Sequence, residues 1–362
     1  MNEAAPTGAR PRAGIVGVGA IGLASAGWLA ARGHSVTLWP PRGPFPHPLS
    51  REPLEVRGVL EGRFDVEVAN DVRALCAAAD LVLVAVPANG HRLVIEALVE
   101  HLDERHEVIV SSMASLSSLV LREALQARGR DVTVGAFGTT AVTARRESPT
   151  QVRVMTQRAT LGVSALPAAR TERMRARCAV LFGNEFVAHA NALATALTNI
   201  NPVAHGPLAL LNWTRIERAE AWPQYHYMTP RVAGVIERLD AERLALAQAF
   251  GLPVRTIERH FAQSFGTTAE RLADIAAELH AKRGGPPGPV DIHTRFLAED
   301  VPFGLVFLAA LGRLAAVPTP ATDAIIATAG LVLGRDLAGE NDLLPALALE
   351  RSTASALLVR VS

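Results

Sequence analysis

The chain has 362 residues, 49% of them hydrophobic and 20% charged, and its 36 basic and 35 acidic side chains leave a formal net charge of +1. That length suits two domains better than one small core. The near-neutral balance supplies neither the electrostatic footprint of a nucleic-acid binder nor a polybasic membrane anchor. No run of 18 apolar residues is free of a charge or a breaker, so no transmembrane helix is expected. The polar, proline-bearing first dozen residues read as a frayed N-terminus rather than a signal peptide. Cys76 and Cys178, the two cysteines, lie in apolar, helix-like stretches and read as buried thiols of a reducing compartment, which implies a cytoplasmic protein.

Taken in chain order, the first half alternates strand and helix patterns. Ala13–Gly17 is a short apolar strand, Ala20–Arg32 a helix of small residues stopped by Gly33, and Ser35–Trp39 a second strand ended by Pro40 and Pro41. The stretch from Glu55 to Val68 alternates around Gly58 and Gly62 and predicts a hairpin. Leu81–Val86 is a continuous β-branched run, as expected of a strand buried on both faces of a parallel sheet. Val108–Val110 and Val132–Phe137 are further strands, with helices predicted over Arg92–His101 and Leu116–Arg128. Such alternation implies right-handed crossovers and a doubly wound, mostly parallel sheet. From about Phe186 the period becomes helical. Helices are expected over Asn191–Asn212, Pro230–Phe250, Val254–Gln263, Thr268–Lys282, Phe303–Ala316 and Ala321–Leu333, with Thr268 and Asp323 as caps and Gly251 as a stop. The expected division is an α/β domain over 1–185 and an all-α domain over 186–362.

Gly17-Val18-Gly19-Ala20-Ile21-Gly22 lies directly between the first strand and the first helix. There the first glycine permits a tight turn, the second lets a pyrophosphate approach the backbone, and the third lets helix and strand pack closely. The helix start supplies N–H groups and the positive dipole end. These six residues therefore predict a dinucleotide site. At the end of the second strand an NAD binder usually carries Asp or Glu, but here the residues are Trp39-Pro40-Pro41-Arg42 and the next carboxylate is Glu52. A guanidinium without a carboxylate suits a 2′-phosphate, so NADP(H) is favoured over NAD(H), with Arg42 as its contact. Pro87, at the end of the Val84-Ala85-Val86 strand, either shapes the wall beneath the nicotinamide ribose or only terminates the strand.

Two polar clusters interrupt the helical half. In Asn199-Ile200-Asn201-Pro202-Val203-Ala204-His205-Gly206-Pro207 the prolines predict a broken helix with His205 near the break. In His293-Thr294-Arg295-Phe296-Leu297-Ala298-Glu299-Asp300-Val301-Pro302 the acidic pair precedes a very apolar helix, where charge complementarity to the helix start would by itself explain it.

These clusters, together with Trp213–Glu217, Tyr225-His226-Tyr227-Met228-Thr229-Pro230, Ile236–Arg243 and Val317-Pro318-Thr319-Pro320, occur in an order that resembles the octopine/nopaline (opine) dehydrogenase family, from Gly14 to Gly334. The resemblance implies reductive condensation of an amino acid's amine with a 2-oxo acid, giving a secondary-amine dicarboxylate. It implies His205 as the catalytic histidine, Arg295 as a substrate-contacting arginine and Asp300, five positions later, as a catalytic carboxylate that either orients the imidazole or holds the substrate's ammonium. Asn201, in the first cluster with His205, is read as substrate-binding. The residue types agree, because a carbonyl oxygen leaving as water needs a proton donor, for which histidine suits neutral pH, and a guanidinium fork fits a carboxylate. No metal is expected. The expected partners are small molecules, an amino acid or amine and a 2-oxo acid, in a chain that could pair as a homodimer. Two segments depart from the family pattern, Ser111–Ser115 in place of a glycine-containing loop and the less aromatic Gly138–Ala141. The competing readings are a keto reductase of the ketopantoate or glycerol-phosphate type and a non-catalytic NADP-sensing protein.

Overall fold

The computed structural model describes residues 11–43 and 45–362, so most of the proposed frayed N-terminus lies outside the described residues. The chain forms two compact units. One comprises residues up to Val86, Gly90–Met113 and Ser118–His189; the other comprises Ala190–Ser362 together with two short segments of the first half, Pro87–Asn89 and Ala114–Ser117.

The first unit runs β1 (Ala13–Val16), α1 (Ala20–Ala31), β2 (Val36–Trp39), β3 (Leu54–Gly58), β4 (Gly62–Phe64), β5 (Glu67–Val68), α2 (Val72–Ala78), β6 (Leu81–Val84), α3 (His91–Val99), β7 (Glu107–Val110), α4 (Ser117–Gln126), β8 (Thr133–Phe137), β9 (Val142–Arg146), β10 (Gln151–Gln157), β11 (Thr160–Leu166), α5 (Thr171–Phe182) and β12 (Glu185–Ala188). Eight strands form one sheet in the order β12-β11-β8-β7-β6-β1-β2-β5. It is parallel from β5 to β8, while β11 runs antiparallel to β8. β1 has β2 on one side and β6 on the other, so the strand order reverses there, the place where open α/β sheets bind ligands at their carboxyl edge.

The expected hairpin forms as β3 and β4, with Leu54 opposite Phe64, but β5 leaves it to pair with β2. β3 and β4 join β9 and β10 in a second, four-stranded sheet. Its other two strands, and all the structure between Phe137 and Phe186, had no counterpart in the expected elements. β10 does carry the period-two signal, with Val152 and Val154 buried between partly exposed Gln151 and Arg153, but arginines and glutamines dilute it.

Helix α1 is apolar on every side, with Leu23, Ala24, Ala26 and Leu29 fully buried. A helix of this kind needs cover all round, and it packs against both sheets. A Cβ on Gly27 would come within 2.5 Å of Val56 Cγ2 on β3. Each fully buried leucine contributes about 2 kcal/mol through area removed from water.

The second unit is helical: α6 (Ala192–Leu197), α7 (Asn201–Leu210), α8 (Trp213–Glu217), α9 (Pro230–Ala249), α10 (Ile257–Phe265), α11 (Leu272–Arg283), α12 (Arg295–Ala298), a π-helical turn over Val301–Leu305, α13 (Val306–Ala315), α14 (Pro320–Leu333), α15 (Leu344–Leu347) and α16 (Ala354–Arg360). The helix break falls at Thr198–Ile200, so His205 lies inside a continuous α7 rather than at a break. Pro202 sits in the first turn, where its missing N–H costs nothing. Thr268 caps no helix, its N–H donating instead to the Glu278 carboxylate, and Asp323 lies within the first turn of α14. Gly251 does end α9, at φ +67°. Among the described residues no helix is long and apolar enough to cross a membrane.

The long α9 is bolted by a buried ion pair. Arg243, with no exposed side chain, donates to Asp240 Oδ1 at 2.7–2.8 Å, to Leu197 O at 2.5 Å and to Arg255 O at 2.7 Å. Asp240 Oδ2 accepts the N–H of Ile257 at the start of α10 at 3.0 Å. Glu242 accepts from Ala321 and Thr322 at 2.7 and 2.9 Å, placing an anion at the start of α14. The Ile236–Arg243 segment thus carries architecture.

Candidate active site

In the first unit the glycine loop leaves β1 at the switch point. Gly17 adopts φ +113°, and a Cβ there would lie 2.7 Å from Ala85 O. A Cβ on Gly22 would come within 2.0 Å of Gly17 O, so only glycine allows α1 to start this close to the strand. Over Gly19, by contrast, a Cβ would meet nothing within 4 Å. Open space over the second glycine and the acceptor-less first-turn N–H groups of Ala20, Ile21 and Gly22 fit a pyrophosphate. Arg42 is exposed three residues beyond β2. A cation absent from the sequence-level reading also reaches this loop, as Arg146 on β9 donates from Nη1 to Val18 O at 3.2 Å. Buried His47 is pushed below the ordinary histidine range by burial and then by Arg146. No local pattern marked Arg146; the β9–β10 pairing brings it there.

β6 stops at Val84, two residues short of the expected strand end, so Pro87 lies exposed three residues beyond it, and the next residue is used structurally, the Ala88 N–H donating to Glu299 Oε1 at 3.0 Å. Burial, and secondarily the neighbouring Asp300 charge, push the Glu299 carboxyl above its usual range.

In the second unit the two polar clusters come together. His205 Nδ1 lies 2.9 Å from Asp300 Oδ2, and the two side chains are 17% and 9% exposed. The imidazole stacks on Phe296, ring centroids 3.8 Å apart and planes parallel. Arg295 opens α12, whose cap Thr294 accepts the Phe296 N–H at 3.3 Å. Its Nη1 stands 4.0 Å from the same Asp300 oxygen, while its side chain is 55% exposed. Asn201 is half-buried one turn before His205, on the same face of α7. A carboxylate on Nδ1 fixes the imidazole's tautomer and leaves Nε2, which has no hydrogen-bond partner among the described residues, for substrate. The pattern suits proton transfer beside an exposed carboxylate anchor.

Asp300 is held by the π turn that follows it. Such turns leave backbone groups without their usual partners, and here the Pro302 carbonyl accepts from Asn341 Nδ2 at 2.8 Å and the Phe303 carbonyl from Ser115 Oγ at 2.7 Å. Asn341 also donates to Ser115 Oγ at 2.9 Å. Gly304 admits α7 to this turn, because a Cβ there would lie 2.2 Å from Pro202 Cγ. Ser112, Ser115 and Leu116 adopt φ +62°, +44° and +51°. The segment where glycine was expected therefore has left-handed backbone on side-chain-bearing residues, at a cost of roughly 1–2 kcal/mol each. Ser115 and Asn341 were not predicted from sequence. Among the described residues no group of three or more His, Cys, Asp and Glu could hold a metal ion.

A family model described as the alpha-helical domain of NAD/NADP octopine/nopaline dehydrogenase matches residues 188–333, and one for ketopantoate reductase matches 13–166. The chain is 31% identical to an opine dehydrogenase of Arthrobacter sp. (strain 1C) over 351 residues, covering 94% of this chain and 96% of that protein. It is 28% identical to a vitopine synthase of Allorhizobium ampelinum, covering 89% and 91%. In fold it is similar to an octopine dehydrogenase solved with NADH and L-arginine (TM-score 0.80, 18% identity, 96% and 98% covered). It is also similar to a yersinopine dehydrogenase solved with NADP+ (TM-score 0.73, 16% identity, 97% and 98% covered).

Proposed function

The chain belongs to the opine dehydrogenase family, and from that premise we propose that His205 and Asp300 form its proton-transfer pair and Arg295 its carboxylate anchor. It is an NAD(P)-dependent oxidoreductase of the CH–NH class. The observation that carries the site assignment is the 2.9 Å contact between His205 and Asp300, with Nε2 left unpaired and Arg295 beside it.

In this reading the amine nitrogen of an amino acid attacks the carbonyl carbon of a 2-oxo acid. Protonated His205 gives Nε2–H to the carbonyl oxygen, and Asp300 stabilises the imidazolium through Nδ1. His205, now neutral, takes a proton from the attacking nitrogen and returns it to that oxygen, which leaves as water, and the carbon of the resulting protonated imine is then reduced. A bound nicotinamide supplies the hydride. Arg295 holds a substrate carboxylate by its planar fork, and Asn201 adds an amide from the His205 face. Gly17, Gly19, Ala20, Ile21 and Gly22 hold the pyrophosphate. NADP(H) is preferred, a reading supported by exposed Arg42 and the lack of a carboxylate between Trp39 and Glu52. Pro87 borders the nicotinamide ribose. The buried thiols Cys76 and Cys178 support a cytoplasmic setting.

The test is NADPH oxidation with pyruvate or 2-oxoglutarate against a panel of amino acids, each substrate also supplied alone. Turnover should need both partners and yield a secondary amine by mass spectrometry. The match of residues 13–166 to ketopantoate reductase favours a second reading, a keto reductase, and reduction of the keto acid alone to a 2-hydroxy acid would establish that instead.

A further inference from the structure

Arg158 occupies the turn between β10 and β11 and leans on the loop that leaves the carboxyl end of β8. Its Nε donates to Thr140 O at 2.9 Å and its Nη2 to Thr139 Oγ1 at 3.3 Å. Its backbone is pinned as well, the N–H donating to Ala141 O at 3.0 Å and the carbonyl accepting from Asn184 Nδ2. The guanidinium is thus oriented by two hydrogen bonds and the backbone beneath it by two more, all to neutral groups.

The partly buried cation has no counter-ion. No carboxylate pairs with it among the described residues, and burial is the one influence on its proton affinity, pulling it below the ordinary arginine range. Two more deeply buried arginines carry counter-ions, Arg122 with Asp131 and Arg243 with Asp240, whereas half-buried Arg130, like Arg158, donates to carbonyls, those of Val99 and Leu102, but through Nη1. Withdrawing a charge from water without a partner is costly. Nη1 has no hydrogen-bond partner among the described residues and is not sealed from solvent. A fixed guanidinium with one free edge, at the carboxyl edge of an α/β sheet, has the form of an anion site.

We propose that Arg158 binds a carboxylate of the substrate, so that this enzyme selects an acidic amino acid or a dicarboxylic 2-oxo acid at the β8 loop. A substrate carboxylate fits better than a cofactor phosphate because β8 stands three strands from β1 in the sheet. At about 4.8 Å per strand that puts Arg158 on the order of 14 Å from the glycine loop. The Thr139 hydroxyl, which accepts from Arg158 Nη2, adds a polar group beside the guanidinium, while the Thr140 hydroxyl donates to Val142 O at 2.6 Å.

The turnover test rests on the opine dehydrogenase reading; the binding test does not. In the binding test, wild-type protein is treated with phenylglyoxal, with and without glutarate or inorganic pyrophosphate, and modification of Arg158 is followed by peptide mass spectrometry. Glutarate should slow modification at Arg158 at least threefold and pyrophosphate should not. No protection by glutarate, or protection by pyrophosphate alone, overturns the proposal. In the turnover test the ratio of kcat/KM for glutamate over glutamine, or for 2-oxoglutarate over 2-oxovalerate, should exceed tenfold. It should fall to within twofold in Arg158→Gln and be largely kept in Arg158→Lys. An unchanged ratio in Arg158→Gln, or a tenfold loss of NADPH affinity instead, overturns it. Absence of amine-dependent turnover with every substrate pair would count against the opine dehydrogenase reading and leave the phenylglyoxal result to decide on Arg158.

Discussion

At the residue scale, His205 carries one hydrogen bond that orients it and one nitrogen that does not. Removing the ring should lower kcat about 10²–10⁴-fold, the usual worth of a positioned proton donor, with NADPH affinity unchanged in a fluorescence titration. Asp300→Asn would keep the shape but lose the charge that stabilises the imidazolium, so its loss should appear in kcat. Arg295→Ala should instead raise KM for one carboxylate-bearing substrate, since its exposed fork anchors without reaching the reacting atoms. Arg295→Lys should rescue poorly, because an ammonium cannot copy the fork. For cofactor choice, NADPH should bind at least tenfold more tightly than NADH, about 1.4 kcal/mol, and Arg42→Ala should narrow that gap. Equal wild-type affinities would remove Arg42 from the site.

At the element scale, two polar devices fix where helices end and turn. The Asp240–Arg243 pair joins α9 to the end of α6 and the start of α10. Arg243→Met strands a buried carboxylate and should destabilise the unit by about 3–5 kcal/mol, whereas Asp240→Leu with Arg243→Met should recover part of that. Urea unfolding gives the comparison, and an undiminished midpoint in Arg243→Met would show that the pair is not the bolt. Asn341 serves the π turn, and Asn341→Leu leaves the Pro302 carbonyl and the Ser115 hydroxyl short of a partner. A loss of about 1–3 kcal/mol is expected, with a fall in kcat because Asp300 begins the same turn. A stability loss with kcat intact would confine Asn341 to a structural role.

At the scale of the whole molecule, proton binding links stability to pH. His91 lies fully buried at the start of α3, and burial lowers its pKa to about 4, partly opposed by a hydrogen bond to Val86 O. Its unfolded value is about 6.5, so between those values the unfolded chain binds the extra proton. The stability His91 contributes is complete above pH 6.5 and is lost as pH falls toward 4, by about 3 kcal/mol in total. His91→Gln should flatten the fall in unfolding midpoint between pH 7 and pH 4.5. Trp28 and Trp39 belong to the same unit as His91, and Trp213 and Trp222 to the other, so variants keeping one pair or the other can follow the two units separately. An equally steep profile in the variant would assign the acid sensitivity to other groups.

What the sequence determined by itself is local. Glycines at the first strand–helix junction, the β-branched run of Leu81–Val86 and the change of period near Phe186 follow from conformational cost and from which faces must be buried. The alternation of strands and helices, and with it the α/β then all-α order, was legible because each element carries its own periodicity. The tertiary structure decided the rest, because it rested on contacts between residues far apart in the chain. Asp300 meets His205 across 95 positions and Ser115 meets Asn341 across 226, separations at which spacing carries no information. Arg146 reaches the glycine loop only because β9 pairs with β10, and β10 with β3. Arg158 in sequence is one arginine among many; its meaning comes from burial without a carboxylate, a property of the packed chain.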